Sequence, residues 1–157
     1  MASKIPRWLS SRLDPIELLF RIALGGLFVY ASLPKLGNPL SFADKIRNFR
    51  IIDDPWVAWV AMGLPVLELL VGVCILLRIL YPGALLVTIG MMLAFIPALA
   101  SLLVRGIEED CGCLSAKLTP DLQILVDIGL LAIALFLLWL WRRSRKALGE
   151  GRSPSED

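Results

Sequence analysis

Two cysteines that stand one residue apart carry most of the chemistry that this sequence offers. Cys111 and Cys113 flank Gly112 in a short polar segment between two long apolar stretches, and a third cysteine, Cys74, stands alone. A thiol pair this close can form a disulfide, exchange electrons or hold a soft metal. Three acidic residues at 108–110 precede the pair, and nearby carboxylates disfavour the thiolate.

A disulfide between Cys111 and Cys113 would close a very small ring. Gly112 relieves backbone strain because it lacks a Cβ, yet the ring still departs from relaxed disulfide geometry, and strain makes the bond easier to reduce. Such a bond would stabilise the fold little, because disulfide stabilisation grows with loop length. We therefore favour thiol–disulfide exchange, with Cys111 and Cys113 as the catalytic residues. A purely structural disulfide stays open as an alternative.

A metal site is the other alternative for the thiol pair. Two thiolates with neighbouring carboxylates could bind copper or zinc, but the chain has no histidine, and a closed site normally needs more ligands. We therefore predict no resident metal. Cys74 lies in an apolar stretch far from the pair, where a cysteine usually behaves as a small hydrophobic residue. It cannot complete a second thiol pair.

Four apolar stretches determine the fold class. The chain has 157 residues, 57% of them hydrophobic, and a mean hydropathy of +0.75, which fits an integral membrane protein in contact with lipid rather than a nucleic-acid binder. Stretches of about 18–22 residues cross a bilayer core of about 30 Å as helices. We predict an all-α, four-transmembrane-helix bundle forming a single membrane domain over 1–157. Its helices lie near 16–33, 56–77, 83–103 and 122–141, followed by a tail at 142–157.

The distribution of basic residues predicts the orientation. Lys and Arg number nine in the tails and the second connection, most densely at 142–146, against six in the first and third connections. The positive-inside rule then places both termini in the cytoplasm. The Cys pair would face the periplasm from a bacterial inner membrane, in a compartment where a disulfide can persist.

Several charges fall within or at the ends of the predicted helices, where ionisable groups are costly and usually functional or paired. Glu17 and Arg21 lie four residues apart on one face and can pair. The similar depths of Arg21 and Glu68 predict a contact between the first two helices. Lys35 could neutralise Asp127 or a substrate anion. Arg21, Lys35, Glu68 and Asp127 form the predicted polar site within the membrane. This site either fixes the packing of the bundle, or forms a cavity that binds a quinone head group or relays protons.

The connection between the first two helices has its own periodicity. Phe42, Ile46 and Phe49 recur at helical spacing with charged residues between them, which predicts a short amphipathic helix. Such a helix either lies on the bilayer surface or docks a partner.

These motifs, in this order, resemble the MauE/DoxX superfamily of small four-helix membrane proteins, and the MauE side more closely. The resemblance covers about residues 14–141 and rests on Arg21 with Gly25-Gly26, Leu33-Pro34-Lys35-Leu36, Asn38-Pro39, Phe42-Ala43, Pro65-x-x-Glu68-Leu69 with Gly72, Asp110-Cys111-Gly112-Cys113 and the segment 124–131. Two positions depart from the pattern. Leu114-Ser115 replaces a common Phe-Gly, and Val126 stands where many members have an Arg beside the acidic residue.

The resemblance implies a redox-associated membrane protein. MauE-type proteins accompany the maturation of methylamine dehydrogenase, often beside thioredoxin-like proteins, and DoxX-type relatives include quinone-linked subunits. A thiol–disulfide oxidoreductase with a periplasmic thioredoxin-like partner is therefore the leading hypothesis, and either a quinone or another protein would reoxidise its thiols. The alternatives are a non-enzymatic subunit that anchors or matures a redox complex, and a metal-handling protein. The sequence leaves the oligomeric state open.

Overall fold

A computed structural model of the chain describes residues 15–106 and 120–150. Both ranges are helical, apart from short connections, and contain no strand. The five helices are α1 (Pro15–Gly37), α2 (Pro39–Asn48), α3 (Trp56–Leu77), α4 (Tyr81–Arg105) and α5 (Pro120–Glu150). Four of them, all except α2, are long and apolar enough to cross a membrane. The predicted all-α fold and four spans are thus confirmed, whereas the orientation of the termini stays a prediction.

The outer surface of the bundle is apolar, as a lipid-facing surface must be. Leu19 is 66% exposed, Trp59 74% and Leu125 66%, and these residues come from three different spans. A water-soluble protein rarely exposes large contiguous apolar patches of this kind. Among the described residues, Lys35, Glu68, Gln123 and Asp127 are buried, so the interior of the bundle holds the candidate functional groups.

The first and third helices touch backbone to backbone. A Cβ added at Gly25 would lie 2.9 Å from the carbonyl oxygen of Gly72, and one added at Gly72 would lie 2.9 Å from the carbonyl oxygen of Gly25. Small residues allow this close approach between membrane helices. Around the contact lies the main core, which includes Leu24, Phe28 and Ile75. The Gly25–Gly72 contact sets the register of α1 against α3.

The amphipathic helix predicted after the first span exists as α2. Its N-terminus is capped by Asn38, whose side chain accepts a hydrogen bond from the Ser41 amide, and such caps stabilise helix starts. Phe42 and Ile46 are buried in a second apolar cluster against α3. The helix therefore packs on the bundle through its apolar face.

Candidate functional site

A buried ion pair joins α1 to α3. The Lys35 ammonium donates to both carboxylate oxygens of Glu68 at 2.7 Å and 2.7 Å, and the two side chains are 3% and 5% exposed. Measured from the Gly25–Gly72 contact, Lys35 lies about 15 Å along α1 and Glu68 about 6 Å along α3, at ~1.5 Å per residue. The lysine side chain therefore reaches toward the middle of the bundle and away from the nearer helix end.

The predicted contact between Arg21 and Glu68 is wrong. Glu68 pairs with Lys35, because Arg21 lies on the other side of the Gly25–Gly72 contact. Arg21 and Glu68 are each four residues from that contact in opposite directions, which separates them by about 12 Å along the bundle. The possible Glu17–Arg21 pair is also absent from the described residues. Glu17 instead lies 3.2 Å from Arg78.

Asp127 is the second buried carboxylate of the bundle, and it is 2% exposed. Gln123, one turn earlier on α5, donates a hydrogen bond of 3.1 Å to Asp127 Oδ1. Asp127 Oδ2 is buried and has no hydrogen-bond partner in the described part of the chain. The Lys35 ammonium bonds to Glu68. The proposed neutralisation of Asp127 by Lys35 is thus not made through a direct contact.

Glu68, Gln123 and Asp127 line one small cavity of about 30 Å³. All four spans contribute to its wall, which also includes Leu27, Phe28, Ala31, Met92, Phe95 and Leu130. A cavity of this size accommodates a water molecule, which needs roughly 10–15 Å³ measured in this way. We call Lys35, Glu68, Gln123 and Asp127 the Lys35 cluster. It holds two carboxylates against one ammonium, so it offers a free acceptor oxygen and a group that can carry a proton.

A larger, apolar cavity lies beside this cluster. It measures about 210 Å³ between α2, α3 and α4. Its lining includes Phe42, Ile46, Leu64 and Phe95, with Lys45 as the charged member. The Phe95 side chain also lines the small cavity. One aromatic residue therefore forms a wall of both the polar and the apolar cavity.

The predicted catalytic residues Cys111 and Cys113 lie outside the described residues. At the end of α4, Arg105 donates hydrogen bonds to the carbonyl oxygens of Phe49 and Arg50 at 3.3 Å and 3.5 Å. These bonds tie the end of α4 to the turn that follows α2.

Other sequence expectations have mixed outcomes. Cys74 is a free thiol packed against the main core, as expected of a small hydrophobic residue. Residues 15–106 and 120–150 contain no cluster of three or more His, Cys, Asp or Glu side chains suited to a metal.

Gln123 is a site residue that the sequence analysis does not predict. Its position four residues before Asp127, on the same helix face, is the signal that could have identified it.

The chain is similar to known proteins over most of its length. A family model described as methylamine utilisation protein MauE matches residues 13–140. The methylamine utilization protein MauE of Paracoccus denitrificans is 37% identical over 119 residues, which are 73% of this chain and 64% of that relative. The chain thus spans less than two thirds of the length of the relative that it matches. No solved structure matches the chain.

Proposed function

This chain belongs to the MauE family, and from that membership we propose that it is a thiol–disulfide redox protein of the bacterial inner membrane that serves methylamine utilisation. In this proposal both termini lie in the cytoplasm, and the Cys111–Cys113 pair faces the periplasm. The disulfide accepts electrons from a thioredoxin-like partner, and a membrane quinone reoxidises the resulting thiols.

The observation that carries this proposal is the position of the Lys35 cluster, which lies at the end of the bundle where α5 begins after the segment that carries the thiols. The chain enters α5 from that segment at Pro120, and Gln123 and Asp127 follow within the first turns of the helix. Lys35 lies in the last turn of α1, at the same end of the bundle. Buried charges in a membrane span are costly and commonly mark function. A free acceptor on Asp127, in the helix that follows the thiol-bearing segment along the chain, suits proton transfer better than packing alone.

The electron and proton balance of the proposed reaction closes. A thiolate of the reduced partner attacks one sulfur of the Cys111–Cys113 disulfide, and the S–S bond breaks to give a mixed disulfide. The second thiol of the partner then attacks the partner's sulfur in this bond. The partner leaves oxidised, and this chain holds two thiols. A quinone would take two electrons and two protons from these thiols, which forms the Cys111–Cys113 S–S bond again, and would leave as a hydroquinone.

The apolar cavity supports a quinone as the oxidant. A cavity of about 150 Å³ holds benzene in another protein, so 210 Å³ suffices for one substituted six-membered ring. Phe95 separates this cavity from the small polar one. A ring bound there would lie one side chain away from Asp127, which could supply or accept the protons of quinone reduction.

Trapping of the mixed disulfide tests the exchange reaction. The probe is a thioredoxin-like protein whose second active-site cysteine is replaced by serine, so that the thiol that would release the partner is missing. Its remaining thiolate should attack the Cys111–Cys113 disulfide of the wild-type chain and accumulate as a mixed disulfide. Non-reducing electrophoresis and mass spectrometry of membranes from expressing cells detect this adduct. The Cys111→Ser/Cys113→Ser variant, which has neither thiol, is the control. If the wild-type chain traps no such protein, the exchange reaction is rejected.

A non-enzymatic subunit that anchors or matures a redox complex is the second candidate. The Lys35–Glu68 pair favours it, because a bonded ion pair between two spans can serve packing alone. In this case the Cys111→Ser/Cys113→Ser variant assembles with its partner and supports maturation as well as the wild type does. Loss of maturation with intact assembly would instead favour the redox protein.

A further inference from the structure

Four polar side chains come together at the other end of the bundle, and we call them the Arg78 cluster. Glu17 and Arg21 come from the first turns of α1, Arg78 follows α3, and Tyr81 begins α4. Arg78 lies 3.2 Å from Glu17 and stacks over the Tyr81 ring at 5.7 Å. Arg21 lies one helical turn after Glu17 on the same face of α1. The cluster thus joins three spans.

Three hydrogen-bond donors of this cluster have no acceptor in the described part of the chain. They are Arg21 Nε, Arg78 Nη1 and Tyr81 Oη, all of them buried, and Tyr81 as a whole is only 3% exposed. The nearby Glu17 does not satisfy them, because its Oε1 is close to Arg78 without the alignment of a hydrogen bond. Buried polar groups are almost always bonded. Three unbonded donors from three elements indicate a missing acceptor.

The charges of the cluster favour an anion as that acceptor. Two guanidinium groups stand against the single carboxylate of Glu17, which leaves one positive charge uncompensated. The N-terminus of α4 adds to this field, because its N-cap residue Leu80 makes no side-chain capping bond and helix N-termini attract anions. Guanidinium groups match phosphate oxygens in geometry and charge.

The position of the cluster in the membrane identifies the kind of anion. The spans end at Leu77 and begin again at Tyr81, so the cluster lies where the hydrocarbon core gives way to the head groups. The Arg78 side chain is 19% exposed, which leaves the cluster open at one edge. Basic pockets between membrane helices bind anionic lipid head groups at this level.

We propose that Arg21, Arg78 and Tyr81 bind a phosphate group, with Glu17 orienting Arg78 from the side. The phosphate belongs to a phospholipid head group or to a free phosphate ion, since both present the same oxygens to the three donors. The site is independent of the thiol chemistry, because it lies at the other end of the bundle and shares no residue with the Lys35 cluster.

Thermal unfolding of the full chain tests this site. The protein is delipidated in dodecyl maltoside, which contains no phosphorus, and its unfolding temperature is measured with added phosphatidylglycerol or added inorganic phosphate. We expect a phosphate source to raise the unfolding temperature by several °C, as a ligand that binds only the folded state does. A shift with lipid alone identifies the head group, and a shift with inorganic phosphate identifies the free ion.

Matched variants separate a binding site from a structural one. Tyr81→Phe removes only an unbonded hydroxyl, so the unliganded protein should unfold at the wild-type temperature or above it. The phosphate-induced shift should nevertheless fall by at least half in Tyr81→Phe and vanish in Arg78→Gln. Arg143→Gln is the control, because it removes an exposed guanidinium that contacts Trp139 outside the cluster.

Two outcomes overturn the proposal. One is a wild-type protein whose unfolding temperature responds to neither phosphate source. The other is a shift that Tyr81→Phe and Arg143→Gln retain in full. If Arg78→Gln fails to fold, Tyr81→Phe still decides the matter. None of these results depends on Cys111 or Cys113, so the redox proposal can fail without affecting this one.

Discussion

The two ends of this bundle bury opposite charges in different ways. In the Lys35 cluster, carboxylates outnumber the ammonium, and Lys35 and Glu68 are joined by two hydrogen bonds of 2.7 Å. In the Arg78 cluster, guanidinium groups outnumber the carboxylate, and three donors remain unbonded. The Gly25–Gly72 contact lies between them. The Lys35 ammonium is thus fully bonded within the chain, and Asp127 offers a free acceptor. The Arg78 cluster lacks an acceptor for its three donors, so it suits an anion from outside the chain.

The same substitution at each end should have unequal effects on stability. Glu68→Gln leaves the buried Lys35 ammonium without its counter-charge, and breaking a buried pair on one side typically costs about 3–5 kcal/mol. Glu17→Gln should cost clearly less, because the Glu17–Arg78 pair is partly exposed and not hydrogen-bonded. Denaturant or thermal unfolding in detergent measures both. Equal losses in the two variants would remove the contrast between the ends.

A double substitution sharpens this test. Replacing Lys35 and Glu68 together, as Lys35→Met/Glu68→Leu, removes both charges of the pair, so neither partner leaves the other buried without its counter-charge. Replacement of a buried pair by apolar residues is often neutral or stabilising, so the free energy of unfolding should return to near the wild-type value. A double variant as unstable as Glu68→Gln would show that the pair contributes through something other than charge compensation.

Asp127→Asn tests whether the free acceptor of the Lys35 cluster serves chemistry. If Asp127 transfers protons during reoxidation of the thiols, its loss should slow that step by roughly 10²-fold, a typical effect of general acid–base catalysis. Stopped-flow oxidation of the reduced protein by a soluble quinone measures the rate. Asp121→Asn, an exposed change on the same helix, should leave the rate unchanged.

An unaltered rate in Asp127→Asn would assign Asp127 to packing. A parallel loss of rate and of the free energy of unfolding would do the same, because a variant with a weakened fold slows the reaction indirectly.

An added methyl group tests the Gly25–Gly72 contact, which lies between the two clusters. Gly72→Ala places a Cβ 2.9 Å from the Gly25 carbonyl oxygen, and overpacking of this kind costs about 1–3 kcal/mol. Gly63→Ala, on the same helix, meets no atom within 4 Å and should not destabilise the protein. Thermal unfolding of the two variants is the comparison. A Gly72→Ala protein as stable as Gly63→Ala would contradict the close approach of α1 and α3.

Cys74→Ala should have the smallest effect. The side chain is partly buried against the main core, so its removal should lower the free energy of unfolding by about 1 kcal/mol or less, in the range of most single substitutions. Thiol–disulfide exchange should be unchanged, as measured by trapping. A loss of exchange in Cys74→Ala would implicate a third thiol in the reaction.

The sequence predicts the elements of this fold well because each depends on local features. Length and apolar composition predict the four spans, and the spacing of Phe42 and Ile46 predicts α2. The partners of the buried charges depend on register, which the Gly25–Gly72 contact sets. Membrane depths counted from the helix ends do not include that contact. They therefore predict an Arg21–Glu68 pair, whereas the structure has a Lys35–Glu68 pair. The unbonded donors of the Arg78 cluster likewise arise only when three separated segments meet.

The reduction potential of the Cys111–Cys113 pair decides between thiol–disulfide exchange and a structural disulfide. The purified protein is equilibrated in glutathione buffers of defined potential, and the fraction of free thiol is trapped and counted, with Cys111→Ser/Cys113→Ser as the blank. A pair that exchanges disulfides should have a potential of about −120 to −200 mV, in the range of proteins with this activity. A pair that stays oxidised below about −300 mV would be a structural disulfide and would contradict the proposed redox function.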